Sequence, residues 1–221
     1  MSDARLAGLH VLADDDPRWR HGPVAQARAA CAGGAAVVQL RAKHATDGIA
    51  LRLAREIRAA TRAAGALFFV NDRFDLALLA EADGVHLGQG DLPPAALPAE
   101  ARARLLVGRS SHTSDQARAA THERVDYVAF GPVFGTTSKD SAYDARGLAA
   151  LAEAARIVAP LPLVAIGGID VSRAAEAIRA GAAGVAVISA VAGAADPEAS
   201  TRALVAAIAA AATTRGQAVG R

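Results

Sequence analysis

Eight short apolar runs alternate with eight helical patterns along nearly the whole chain, and this alternation restricts the available folds more than any other feature. The strand-like runs fall near residues 8–13, 36–41, 67–71, 84–87, 105–109, 126–131, 162–166 and 184–188. Helical patterns occupy 23–33, 46–64, 73–82, 94–103, 114–123, 147–158, 170–180 and 197–212. Strands that alternate strictly with helices pair in parallel through right-handed crossovers. Eight such units predict an α/β fold, a (β/α)8 TIM barrel, with a doubly wound open sheet as the weaker reading. No Pro/Ser-rich linker or composition break divides the 221 residues, so a single domain over 1–221, with its core at about 6–212, is expected.

Local punctuation agrees. Thr46 and Asp170 stand where helix N-caps belong, and Gly65 and Gly181 follow helices where a left-handed closing residue is expected. The three prolines between Gly88 and Pro98 prevent strand four from continuing. The segment from Gly131 to Gly147 is the longest irregular stretch, the kind of strand–helix loop that often clamps a substrate.

The charge balance excludes some partners. A net charge of +2, with Lys and Arg spread over helices, gives little support to nucleic-acid or anionic-membrane binding. Ala203 to Ala212 is too short to span a bilayer, and no apolar targeting segment opens the chain. Cys31 has no intrachain partner and reads as a small buried residue of the first helix, which points to a reducing, cytoplasmic setting.

Parallel α/β proteins carry their chemistry where strands end, and here those ends are polar or glycine-rich. Gln39, Arg41 and Lys43 alternate, so on an extended strand they share a face, and at a barrel mouth both cations could meet phosphate oxygens. A solvated strand end is an equal reading of that motif alone. Asn71-Asp72 ends strand three and Asp91 follows strand four. Either Asp alone reads more simply as a helix cap or loop residue, but consecutive strand ends can bring both to one Mg²⁺. Ser110 ends strand five, and Thr136, Thr137, Ser138 and Lys139 lie after strand six, where they could orient an anion or merely be solvated. His86 reads as structural, and His112 stays open. Gly167-Gly168 after strand seven and Ile188-Ser189 after strand eight occupy the loops with which barrels frequently bind phosphate. Two separate anion sites imply two phosphorylated substrates.

The chain resembles the thiamine phosphate synthases over almost its whole length. The resemblance rests on Val38 to Lys43, Val70-Asn71-Asp72-Arg73, Gly84 to Asp91, Ser110, Gly131 to Phe134, Thr136 to Lys139, Ala165 to Ile169 and Val187-Ile188-Ser189, in family order and spacing. It implies a transferase of thiamine biosynthesis that joins 4-amino-2-methyl-5-pyrimidinylmethyl diphosphate to a thiazole phosphate and releases pyrophosphate. By the same resemblance, Gln39, Arg41, Lys43 and Asn71 hold the pyrimidine diphosphate, with Ser110 and Lys139 on the same side. Asp72 and Asp91 carry Mg²⁺, while Thr136 and Ser138 with Gly168, Ile188 and Ser189 hold the thiazole phosphate. Arg41, Lys43, Ser110 and Lys139 are the expected catalytic groups.

Departures are small: Gly135 stands where the family usually has Pro, Ala42 where Glu is common and Ser138 where Thr is usual. The sister thiazole tautomerases carry a His where this chain has Pro132. A non-catalytic phosphate-binding barrel is the remaining alternative, and homo-oligomerisation stays open.

Overall fold

A computed structural model describes residues 3–135 and 143–219, with side chains described as far as Arg215. Eight parallel strands close into a barrel in the order of the chain. They are β1 (Gly8–Asp14), β2 (Val37–Arg41), β3 (Leu67–Asn71), β4 (Gly84–Leu87), β5 (Leu106–Ser111), β6 (Tyr127–Phe130), β7 (Leu163–Ile166) and β8 (Gly184–Val187). The first and last strands seal the cylinder, with Gly8 opposite Gly184 and Val11 opposite Val187.

Around them run α1 (Pro23–Ala32), α2 (Asp47–Ala64), α3 (Phe74–Leu79), α4 (Ala99–Arg104), α5 (Ser114–Ala120), α6 (Gly147–Val158), α7 (Val171–Arg179), α8 (Ser189–Ala192) and α9 (Pro197–Val219). Two elements differ from expectation. The stretch 94–103 is a 3-10 turn at Pro94–Ala96 and a helix only from Ala99, because Pro98 restricts its neighbours and supplies no N–H. The short helix α8 carries no periodic signal in the sequence.

Alternation along each strand separates two apolar layers. Leu9, Val11, Ala13, Phe68 and Val70 face the helices, whereas Leu12, Val37, Leu67, Phe69, Tyr127, Val164 and Ala186 fill the interior. Two aromatic rings occupy the interior because glycine faces each of them. A Cβ on Gly84 would lie 2.3 Å from Phe69 Cε1, and one on Gly108 would lie 2.3 Å from Tyr127 Cζ. Burying a ring of this size contributes about 3 kcal/mol.

Gly65 ends α2 in the left-handed region at φ 72°, and Asp170 caps α7 by accepting from Arg173 N–H at 2.9 Å. Thr46 stands at the N-cap of α2 but makes no side-chain cap bond. Cys31 is half-buried, not buried, and burial raises its thiol pKa. Among the described residues no helix is long and apolar enough to cross a membrane.

Candidate active site

The inward phase of the strands reaches the C-terminal rim as polar residues. Counting in steps of two from inward Val37 gives Gln39 and Arg41, from Phe69 gives Asn71, and from Leu106 gives Gly108 and Ser110. Of the face expected for Gln39, Arg41 and Lys43, β2 carries Gln39 and Arg41 and ends there, and Lys43 lies in the bend beyond it.

Lys43 and the two aspartates meet at this rim. Lys43 Nζ donates to Asp72 Oδ2, and the Asp91 carboxyl stands close enough to act on the Asp72 carboxyl. Gly88 N–H donates to Asp91 Oδ2 at 2.7 Å. Asp72 does not cap α3, whose N-cap is Arg73. Instead its backbone is left-handed at φ 66°, and its N–H donates to the His86 carbonyl at 2.8 Å.

Burial first, and then the neighbouring Asp91 carboxyl, pushes the Asp72 carboxyl above the usual carboxylate range, while Lys43 opposes them. Two carboxylates forced together are relieved by a proton or a cation. The donor set fits Mg²⁺, which takes a few hard oxygens and keeps room for water and phosphate. Among the described residues no group of three His, Cys, Asp or Glu is placed to hold a metal ion.

Arg41 is held from below. Its Nη1 donates to Asp14 Oδ2 at 2.6 Å, and the Asp14 side chain is fully buried. Asp14 Oδ1 also accepts from Trp19 Nε1 and from Asp16 N–H, both at 2.9 Å. The Asp15 carboxylate accepts the backbone N–H groups of Lys43, His44 and Ala45 at 2.8, 3.0 and 2.7 Å, which shapes the turn after β2. Sequence reasoning missed both residues. The signal available was the acidic run Asp14-Asp15-Asp16 at the end of strand one.

Inside the rim lies a cavity of about 130 Å³, lined by Gln39, His86, Ser110, His112, Gly168 and Ile188 among others. Gln39 is 3% exposed, and its Oε1 is buried without a partner. Such an acceptor is costly unless a ligand N–H or water satisfies it. His86 hydrogen-bonds to Tyr127 and to Ser110, so it is structural as expected, yet it also lines the cavity. His112 Nδ1 donates to the Gly131 carbonyl at 2.6 Å, and its ring stacks on Tyr143 at 4.3 Å.

The wall formed after β7 needs glycine twice. Gly167 and Gly168 have φ of 102° and 65°. A Cβ on Gly168 would sit 2.2 Å from the Gly135 carbonyl oxygen, and one on Gly167 would sit 2.6 Å from Pro132 Cα. Phe134 N–H donates to Gly167 O at 3.1 Å, joining this turn to the loop after β6. Ile188 and Ser189 stand at the start of α8, on the same cavity wall. Thr136, Thr137, Ser138 and Lys139 lie outside the described residues.

The closed parallel barrel and its polar C-terminal rim define a (β/α)8 protein of the kind whose chemistry sits at the strand ends. A family model described as thiamine monophosphate synthase matches residues 9–191, and the chain belongs to that family. A thiamine-phosphate synthase of Anaeromyxobacter dehalogenans is 50% identical over 213 residues, covering 96% of this chain and 93% of that protein. Another from Methanoculleus marisnigri is 51% identical over 196 residues, covering 89% of this chain and 92% of that protein. Among solved structures, the thiamine phosphate pyrophosphorylase from Pyrococcus furiosus matches with a TM-score of 0.83 at 34% identity, over 94% of this chain and 98% of that one.

Proposed function

We propose that this chain is a thiamine-phosphate synthase, the transferase that joins a pyrimidinylmethyl diphosphate to a thiazole phosphate with release of pyrophosphate. The observation that carries the reading is the meeting of Lys43 and Asp72, with Asp91 close enough to act on the Asp72 carboxyl, beside a cavity lined by Gln39 and Ser110. A non-catalytic phosphate-binding barrel would have no use for so many charged groups converging on one rim.

In this reading the pyrimidine ring enters the cavity against Gln39, with Asn71 beside it. Its diphosphate lies at the rim under Arg41 and Lys43, with Ser110 as a neutral donor and Lys139 on the same side. Asp72 and Asp91 would hold Mg²⁺, which supplies positive charge to the departing diphosphate. The bond from the methylene carbon to the diphosphate oxygen breaks, and the thiazole nitrogen forms the new bond to that carbon. The electron-rich aminopyrimidine spreads the positive charge that develops on the carbon. Arg41 and Lys43 stabilise the negative charge that builds on the leaving group, a preorganised electrostatic contribution. The turn at Gly168, with Ile188, Ser189, Thr136, Thr137 and Ser138, would hold the thiazole phosphate and aim its nitrogen.

The test is pyrophosphate release with both substrates, with and without Mg²⁺. Removing one such donor costs on the order of 3 kcal/mol, roughly a hundredfold in rate. Asp91→Ala and Arg41→Ala should each show a loss of that size. Turnover near wild type in both variants would sink the assignment. Aromatisation of the thiazole without pyrophosphate release would replace it with the tautomerase.

A further inference from the structure

Two residue pairs, Gly88-Gln89 after β4 and Arg109-Ser110 on β5, hold each other at the rim. Arg109 Nη1 donates to the Gly88 carbonyl, and Gln89 Nε2 donates back to the Ser110 carbonyl. Arg109 stands in register with Leu87, between inward Gly108 and Ser110, so its own side chain takes the outward face among the helices. There it is 7% exposed and meets Glu123 beyond α5, with Nε 3.0 Å from Oε2. That contact lacks hydrogen-bond geometry and is held by charge.

Burying a guanidinium is costly, and well-packed apolar residues often serve a fold as well as a buried ion pair does. What an apolar residue cannot do is donate to the Gly88 carbonyl. Asp91 N–H also reaches that carbonyl, but at 3.3 Å, while Gly88 N–H donates to Asp91 Oδ2 at 2.7 Å. A Cβ on Gly88 would lie 3.0 Å from the same oxygen, so the turn closes tightly around the carboxyl. A carboxyl is planar, and holding Oδ2 restricts where Oδ1 can point.

We propose that Arg109, steadied by Glu123, is a positioning residue for the metal centre. It pins Gly88 so that the Asp91 carboxyl is presented beside Asp72 at a fixed angle, ready for a divalent cation that carries a diphosphate. Its side chain faces away from the cavity, so it acts through Asp91 and not on a substrate. Groups that orient a metal ligand change metal affinity by about 10- to 100-fold when they are lost. The inference rests on the functional reading above, in which Asp91 holds Mg²⁺.

The test is calorimetric binding of inorganic pyrophosphate in excess Mg²⁺, with chelator as the control. Arg109→Met combined with Glu123→Gln removes both charges, keeps the packing and leaves no buried ion uncompensated. This double variant should bind Mg²⁺-pyrophosphate about 10-fold more weakly or worse, with the KM for the thiazole phosphate within about twofold of wild type. On an Asp91→Ala background the same two changes should alter the affinity by less than about twofold, because the residue through which Arg109 acts is gone.

Arg109→Lys keeps a cation beside Glu123 but lacks the fork that reaches two partners, and it serves if the double variant does not fold. It is expected to weaken the same binding by about 10-fold as well. A folded variant with wild-type affinity for Mg²⁺-pyrophosphate overturns the proposal. So does a loss that is as large on the Asp91→Ala background, or one matched by an equal rise in the thiazole phosphate KM. The two readings fail separately. Wild type that releases pyrophosphate while the variants bind it unchanged defeats the positioning role alone. Wild type whose pyrophosphate binding ignores Mg²⁺, and which releases none from the substrates, defeats both.

Discussion

Arg41 Nη1 donates to Asp14 Oδ2 at 2.6 Å, and the carboxylate beneath it is wholly buried. Removing one member of a buried pair leaves the other uncompensated. Asp14→Ala also strips Trp19 Nε1 and Asp16 N–H of their acceptor. We expect Asp14→Ala to lower unfolding stability by about 3 kcal/mol, as measured in urea. Asp14→Asn, which can still accept from Trp19, should cost less. A change under about 1 kcal/mol for the alanine variant would mean that the pair is not a structural anchor.

His10 gives a pH dependence with a defined sign. It is buried at the barrel floor against the Leu6 carbonyl, and burial lowers its pKa from 6.5 to about 4. Between those values the unfolded chain binds a proton that the folded chain does not. Stability should therefore fall as pH drops through that window, by about 2 kcal/mol between roughly pH 7 and pH 5. His10→Gln should flatten this part of the profile. An unchanged slope in that variant would assign the titration to another group.

The raised pKa of Asp72 has the opposite sign. The folded protein holds this proton more tightly than the unfolded one, so ionisation of Asp72 costs stability as pH rises through its folded value. With chelator present near pH 7, Asp72→Asn should unfold at or above the wild-type temperature. Its lost pairing with half-exposed Lys43 counts for little. Excess Mg²⁺ should then raise the midpoint of wild type and leave that of Asp72→Asn where it was. Equal Mg²⁺ responses in thermal melts would remove Asp72 from the ion's ligands.

Gly168→Ala tests the wall after β7. Its added methyl would lie 2.2 Å from the Gly135 carbonyl oxygen, so the loop after β6 must move. We expect about 1–3 kcal/mol of destabilisation. In steady-state assays the KM for the thiazole phosphate should rise more than that for the pyrimidine diphosphate. A rise confined to the pyrimidine side would place the thiazole phosphate elsewhere.

The repeating architecture was legible because strands buried on both faces read as apolar runs: the limits of β3 and β4 coincide with those runs, and the other strands shift by a residue or two. Helix α8 was not legible, since four residues complete barely one turn and show no period. The stretch 94–103 looked helical throughout because periodicity ignores what Pro98 does to its neighbours. At the site, Asp72 and Asp91 stood out by their position on consecutive strand ends, and the structure brings them together. Asp14 escaped because its environment, a sealed pocket under Arg41, exists only after β1 and β2 pair. Tyr127 escaped for a related reason: within Tyr127-Val128-Ala129-Phe130 it looks like core, and its hydroxyl matters only once His86 is opposite.

The seam between β1 and β8 joins residues separated by most of the chain, Leu9 with Val185 and His10 with Ala186. Until that seam zips, both terminal strands present unpaired N–H and C=O groups, the template on which polypeptides stack into aggregates. Closure across so long a loop is slow by its topology. A ribosome-bound nascent chain lacking β8 would therefore carry two sticky borders, a vulnerable interval that ends only when the last strand emerges.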